Sequence, residues 1–170
     1  SVGLLSIATY LNSRGVLVEM IDGVRQKNYL ELVKEKIKDC EYAGISVMTM
    51  QIPRALDVCR LIRELNPDCK IIWGGAHPTF FIRQTVAHQL ADIVCYGEGE
   101  LTMLEIMQGV SLSDVKGIAY KKEGRIIVNP PRELHDPAKT VLFNWDIVAK
   151  EILRNLYLIP SLTSRGCPHL

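Results

Sequence analysis

Trp73-Gly74-Gly75-Ala76-His77-Pro78-Thr79 follows a short apolar run, Lys70 to Trp73, and the two together read as a buried strand breaking into a glycine turn. Two adjacent glycines let the main chain turn sharply and bring bare backbone close to whatever sits above the strand. His77 and Thr79 then stand as polar groups at the rim, and Pro78 stiffens the exit. Ligands of open α/β sheets bind beyond the carboxyl ends of the strands, and this is such an end. Two further loops have the same character, Ser46 to Pro53 and Gly97 to Glu100.

Working outward, apolar periodicity alternates between helix and strand. Gly3 to Ser13 carries a helical stripe at Leu4, Ile7, Ala8 and Leu11, closed by Gly15. Val16 to Ile21 reads as a strand ending at Asp22-Gly23, and Tyr29 to Lys38 as a helix with Leu30, Val33 and Ile37 inward. Tyr42 to Met48 is almost continuously apolar, the pattern of a strand covered on both faces. Pro53 suits the first turn of a helix that carries Ala55, Val58, Cys59, Ile62 and Leu65 on one side and stops at Asn66-Pro67. Phe80 to Gln89 is a short helix or helical loop, Asp92 to Tyr96 a strand and Glu98 to Met107 a helix. Such alternation predicts a doubly wound α/β domain with a parallel sheet and right-handed crossovers. A doubly wound sheet normally opens on a central strand, whereas this chain opens on a helix. The expectation is therefore that the chain starts just after that first strand; a four-stranded sheet that begins with a helix is the alternative.

The pattern changes after Gly109. Gly117 to Tyr120 and Arg125 to Val128 alternate across Lys121-Lys122-Glu123-Gly124 as a β-hairpin, ended by Pro130-Pro131. Glu133 to Thr140 reads as an exposed linker and Trp145 to Asn155 as a helix capped by Asn144. The domain plan is an α/β unit at residues 1–109, a hairpin appendage at 110–135 and a linker at 136–170.

The 170 residues, 48% hydrophobic and 23% charged, suit a globular domain, and the net charge of +1 comes with no basic face of the kind nucleic acid requires. No apolar run approaches the length of a membrane span. The five cysteines (Cys40, Cys59, Cys69, Cys95 and Cys167) are odd in number and form no close pairs, which favours a reducing, cytoplasmic setting over a disulfide framework. Cys59 and Cys95 sit in apolar patterns as small buried hydrophobes. Cys167 differs, since it lies in the irregular tail Arg165-Gly166-Cys167-Pro168-His169.

The candidate binding residues come from the three loops. Ser46 and Thr49 offer hydroxyls, while Met48 and Met50 offer soft apolar surface. Gly74, Gly75, His77 and Thr79 form the second group. Gly97, Glu98, Gly99 and Glu100 form the third, its acids favoured by the start of the following helix. Together they suit a large, flat, mostly apolar ligand with an uncharged polar tail. Each also has a purely structural reading: Ser46 as a backbone-bonding residue, Gly74-Gly75 as a turn, and Glu98 and Glu100 as helix-start electrostatics. No paired carboxylates, Ser/His/Asp set or metal-spaced His cluster stands out. The phosphate-binding glycine fingerprints are absent. Asp22 at a strand end is a weak candidate for a ribose hydroxyl.

These stretches, in order, resemble the N-terminal cobalamin-binding domain of the B12-dependent radical SAM proteins. The resemblance rests on Gly3-Leu4-Leu5-Ser6-Ile7-Ala8 to Gly15, Gly44 to Met48, Trp73 to Thr79 and Tyr96-Gly97-Glu98-Gly99-Glu100. The tail Thr163 to His169 is similar to the lead-in to that family's CxxxCxxC motif. The resemblance implies a Rossmann- or flavodoxin-like cobalamin-binding fold. Ser46, Gly74 and Gly75 would neighbour the nucleotide tail of cobalamin, while His77, Thr49, Gly97 and Glu98 would line the opening. It also implies Cys167 as the first of three thiolates on a [4Fe–4S] cluster that binds S-adenosylmethionine. Catalysis then belongs to the longer protein, as methyl transfer or as a radical rearrangement or cyclisation, on a small-molecule or peptide substrate held by a further domain. This chain alone would bind cofactor. A cobalamin carrier or sensor without radical chemistry, and a nucleotide- or flavin-binding domain, are the competing expectations.

Overall fold

In the computed structural model, Lys70–Gly74 forms a strand whose apolar residues alternate between two cores. Ile71 and Trp73 enter one and Ile72 the other. The structure describes residues 1–133 and 141–155. In chain order the elements are α1 (Val2–Asn12), α2 (Tyr29–Lys36), β1 (Tyr42–Ser46), α3 (Ile52–Leu65), β2 (Lys70–Gly74), α4 (Ala76–Phe80), α5 (Ile82–Ala87), β3 (Ile93–Cys95), α6 (Glu100–Met107), β4 (Ile118–Lys122), β5 (Arg125–Val128) and α7 (Lys150–Arg154). The strands form one sheet in the order β1-β2-β3-β4-β5, with β1, β2 and β3 parallel and β4 and β5 antiparallel.

Helices cover both faces. Val33 of α2, Ala55, Cys59 and Ile62 of α3, and Val86 of α5 pack with Ile71, Trp73 and Val94. On the other face Tyr10 and Leu11 of α1 and Met103, Leu104 and Ile106 of α6 pack with Ile72, Ile93, Cys95 and Ile118. The expected doubly wound α/β architecture is therefore present. Each fully buried Ile or Leu contributes on the order of 2 kcal/mol of transfer free energy. The two layers consequently hold the parallel strand ends at a fixed height. The amino end is pinned separately: Asp92 accepts from Arg63 at 2.7 Å and from the backbone N–H of Ile71 at 2.8 Å.

Four details depart from the sequence reading. Val16 to Ile21 keeps its alternation, with Leu17 and Glu19 exposed, but it joins no ladder among the described residues. Its described backbone donors bond to α1 instead, Val16 N–H to the Leu11 carbonyl and Val18 N–H to Asn12 Oδ1. β1 is half-buried rather than covered on both faces, because it lies at the edge of the sheet among the described residues. Residues 76–80, read as loop, make a helical turn that starts directly from Gly75. The segment Trp145 to Asn155 divides into a 3₁₀ turn at Trp145–Ile147, capped by Asn144 Oδ1, and the short α7.

The hairpin continues the main sheet. β4 is hydrogen-bonded to β3 in the register Ile93↔Tyr120, Val94↔Ala119 and Cys95↔Ile118. Gln26 Nε2 donates to Glu151 at 3.1 Å, and the Asn144 N–H donates to Thr9 Oγ1 at 3.0 Å, so residues 144–151 lie against α1 and the turn after residue 21. Most of the expected linker at 133–140, and the tail from 156 onward with Cys167, lie outside the described residues.

Candidate functional site

Parallel pairing of β1, β2 and β3 brings their three following loops to one edge, and direct hydrogen bonds tie the loops together. The Val47 N–H donates to the Gly74 carbonyl at 2.8 Å, and the His77 N–H donates to the Val47 carbonyl at 3.0 Å. The side chains of Thr49 and His77 meet at 3.2 Å between Oγ1 and Nδ1. Thr79 Oγ1 donates to the Gly75 carbonyl at 2.8 Å and accepts from the Gly97 N–H at 3.3 Å, joining the second loop to the third. Ser46, Met48, Thr49, Gly74, Gly75, His77, Thr79, Gly97, Glu98 and Gly99 are thus brought to one edge, as the sequence implied.

The four glycines of this edge differ in what surrounds them. Gly75 has φ +94°, and a Cβ there would lie 2.8 Å from the Val47 nitrogen and 2.9 Å from Ser46 Oγ. Its bareness accommodates the neighbouring loop. A Cβ on Gly74 would make ordinary contact with the Cys95 carbonyl at 3.5 Å. A Cβ on Gly99 would fall 2.7 Å from Ile7 Cδ1, so this glycine lets α1 approach. Gly97 is the open one: its φ is +74°, and nothing lies within 4 Å of a Cβ built there.

The rim of this edge is apolar. Met50 is 95% exposed, Phe80 79%, Met48 58% and Phe81 48%, an unusual amount of large hydrophobic surface for one end of a small domain. The Phe81 ring stacks on His77 at 4.9 Å between centroids. Phe80 and Phe81 were absent from the sequence-based candidates; an aromatic pair just past the glycine turn was the available signal. Among the described residues no hydrogen bond engages Ser46 Oγ, which leaves a hydroxyl at the loop junction. A cleft of about 130 Å³ opens beside His77, lined by Ile52, Leu56, Trp73, Thr85 and His88. A larger one of about 510 Å³, lined by Cys40, Asn66 and Cys69, lies at the opposite edge of the sheet, away from the glycine loops.

Beneath the third loop, burial pushes the Cys95 thiol up to about 12, with the Glu100 charge adding to the shift. Such a thiol is inert as a nucleophile or ligand at neutral pH. Burial also raises Tyr96, whose hydroxyl donates to the Asn129 carbonyl. Asp22 spends its Oδ1 on the N–H groups of Val24 and Arg25, a turn cap rather than a poised ribose ligand. No three His, Cys, Asp or Glu side chains among the described residues converge on a metal-sized site, and Cys167 lies outside them. No helix among the described residues is long and apolar enough to cross a membrane.

The comparisons with known proteins fit this geometry. The family model of the B12 binding domain matches residues 1–107. The chain is 28% identical over 161 residues to an uncharacterized methyltransferase of Pyrococcus horikoshii, covering 89% of this chain and 35% of that protein. It is 28% identical over 181 residues to the anaerobic magnesium-protoporphyrin IX monomethyl ester cyclase of Rubrivivax gelatinosus, covering 95% of this chain and 32% of that one. The chain therefore spans about a third of the length of these relatives. Among solved structures, it superposes with a TM-score of 0.65 on the cobalamin-dependent S-adenosylmethionine radical enzyme OxsB with aqua-cobalamin and S-adenosylmethionine bound. That match is 24% identical and covers 79% of this chain and 20% of OxsB; it bears on the fold.

Proposed function

The chain belongs to the B12-binding domain family, and from there we propose that it holds cobalamin at the carboxyl edge of β1, β2 and β3, as the corrinoid module of a longer B12-dependent radical SAM enzyme. The observation that carries the reading is the pairing of an exposed apolar rim with an unobstructed glycine. Met48, Met50, Phe80 and Phe81 offer area to a broad ring, and Gly97 leaves bare backbone beside them. Thr49, His77 and the Ser46 hydroxyl supply a few polar groups, the usual ratio in a cofactor site. Cobalamin, when bound, supplies a cobalt centre able to carry a methyl group or support radical chemistry. The residues of this chain bind and orient it, and the tied loops keep that orientation fixed.

Ser46, Gly74 and Gly75 act in this reading through the loop junction they build. Met48, Thr49, His77, Thr79, Gly97, Glu98 and Gly99 form the opening. Residues 1–109 would be the binding unit, 110–135 its hairpin and 136–170 the linker onward, with Cys167 the first thiolate of a [4Fe–4S] cluster that binds S-adenosylmethionine. The relatives' names, a methyltransferase and a cyclase, support methyl transfer, or a radical rearrangement or cyclisation, as the whole protein's reaction on a substrate held by another domain. The free thiols of Cys40, Cys59, Cys69 and Cys95 suit the reducing cytoplasm.

Titration with hydroxocobalamin, followed by its visible absorption, tests the rim. Replacing the exposed Met48 by Glu places a charge on the apolar surface with little effect on folding. Affinity is expected to fall about tenfold, the equivalent of about 1.4 kcal/mol. Equal affinity of the wild type and Met48→Glu would remove the apolar rim from the site.

A further inference from the structure

Among the described residues, Glu100 is the one Asp, Glu, Lys or Arg that is buried, at 3% exposure. Helix-start electrostatics alone does not explain this, since an exposed carboxylate in the first turn of α6 would complement the helix without desolvation. The carboxylate is held by Ser6 of α1, itself 6% exposed, whose Oγ donates to Glu100 Oε1 at 2.5 Å. Charge-assisted hydrogen bonds of this kind are short and directional. The same contact region has α1 pressed against the third loop, with Ile7 touching Gly99.

The loop is therefore held from two sides. Thr79 takes the Gly97 N–H from the direction of β2, and the Ser6–Glu100 pair anchors the other end, three residues on, from the direction of α1. Gly97, at the first of these two ends, is the open backbone of the cofactor edge. We propose that Glu100 is a positioning residue for the bound corrinoid: through Ser6 it sets the height of residues 97–99 against the glycine turn after β2. The proposal rests on the reading that this edge holds cobalamin.

The test measures the rate at which bound hydroxocobalamin leaves the full-length protein, alongside the melting temperature without corrinoid. Ser6→Ala and Glu100→Ala are each expected to release corrinoid about tenfold faster. The double variant is expected to be no faster than the singles, because the two side chains act as a unit. Glu100→Gln keeps an acceptor for Ser6 and stays within about threefold of the wild type. Arg63→Ala, which removes the Arg63–Asp92 ion pair at the far edge of the sheet, is the control: it lowers the melting temperature and leaves release unchanged.

Release at the wild-type rate from folded Ser6→Ala overturns the proposal. So does release that merely follows melting temperature across all variants, Arg63→Ala included. Should Glu100→Ala not fold, Ser6→Ala and Glu100→Gln decide alone. A wild-type protein that retains no corrinoid brings down the cofactor reading itself, and this proposal with it; a wild type that retains it beside indifferent variants brings down only the proposal.

Discussion

Gly75 and Gly97 both have positive φ, yet their surroundings predict unequal costs for the same substitution. Gly97→Ala meets only backbone strain, about 1–2 kcal/mol. Gly75→Ala adds a Cβ within 3 Å of the Val47 backbone nitrogen and Ser46 Oγ, and is expected to cost distinctly more, above about 2 kcal/mol, in urea unfolding without corrinoid. Equal losses would mean that the packing of the first loop on the second is misread. The glycine pair was plain in the sequence, but its reason was not: the atoms that exclude a side chain from Gly75 come from another strand end, and periodicity carries no information about that contact. The same holds for Glu100. Its place at a helix start was legible, whereas its burial depends on Ser6, which lay in the apolar face of α1 and gave no signal of its own. Ser46, Thr49, His77 and Thr79 were legible because polar residues at strand ends in a parallel sheet must share one edge.

Among the elements, the amino edge of the sheet should be separable from the cofactor edge. Asn66, at the end of α3, donates through Nδ2 to the carbonyls of Ile37, Lys38 and Cys40 and accepts the Cys69 N–H on Oδ1. It thereby staples the turn before β1 to the turn before β2. Asn66→Ala is expected to lose about 2 kcal/mol in chemical denaturation, while corrinoid affinity is unchanged. A large fall in affinity would show that the two edges are coupled. At this scale the sequence pattern was reliable for the bounds of α3, whose start at Pro53 and stop at Asn66 are both chemical punctuation, while Leu65 at the end of its apolar side is exposed. It misled at Val16 to Ile21, where alternation recorded that Val16 and Val18 pack inward but could not say whether the backbone had a partner. It also fell short at residues 76–80, where Pro78 suggested a loop exit and in fact occupies a buried turn of helix.

For the molecule as a whole, buried thiols give a pH signature. Burial pushes Cys59 and Cys95 from an ordinary 9.0 up to about 12 and Cys69 up to about 11. The folded chain keeps protons that the unfolded chain gives up near 9. Their contribution to stability is therefore complete below about pH 9 and is lost as pH rises toward 11 and 12. Urea midpoints measured at pH 8 and pH 10.5 should fall with pH, and fall less steeply in Cys59→Ala. A midpoint that rises between those values would contradict the burial assigned to these thiols. The doubly wound plan was legible because it needs only alternating elements and two apolar faces. The joining of the hairpin to β3 was not, since nothing local to Gly117–Val128 names the strand it meets.

The central claim, that the carboxyl edge of β1, β2 and β3 holds a corrinoid, is tested most directly by a visible absorption spectrum. The folded protein is incubated with hydroxocobalamin, desalted and scanned. Retention of about one corrinoid per chain is the predicted result. A desalted protein that is folded and colourless, both as this domain and within the full-length protein, would contradict it.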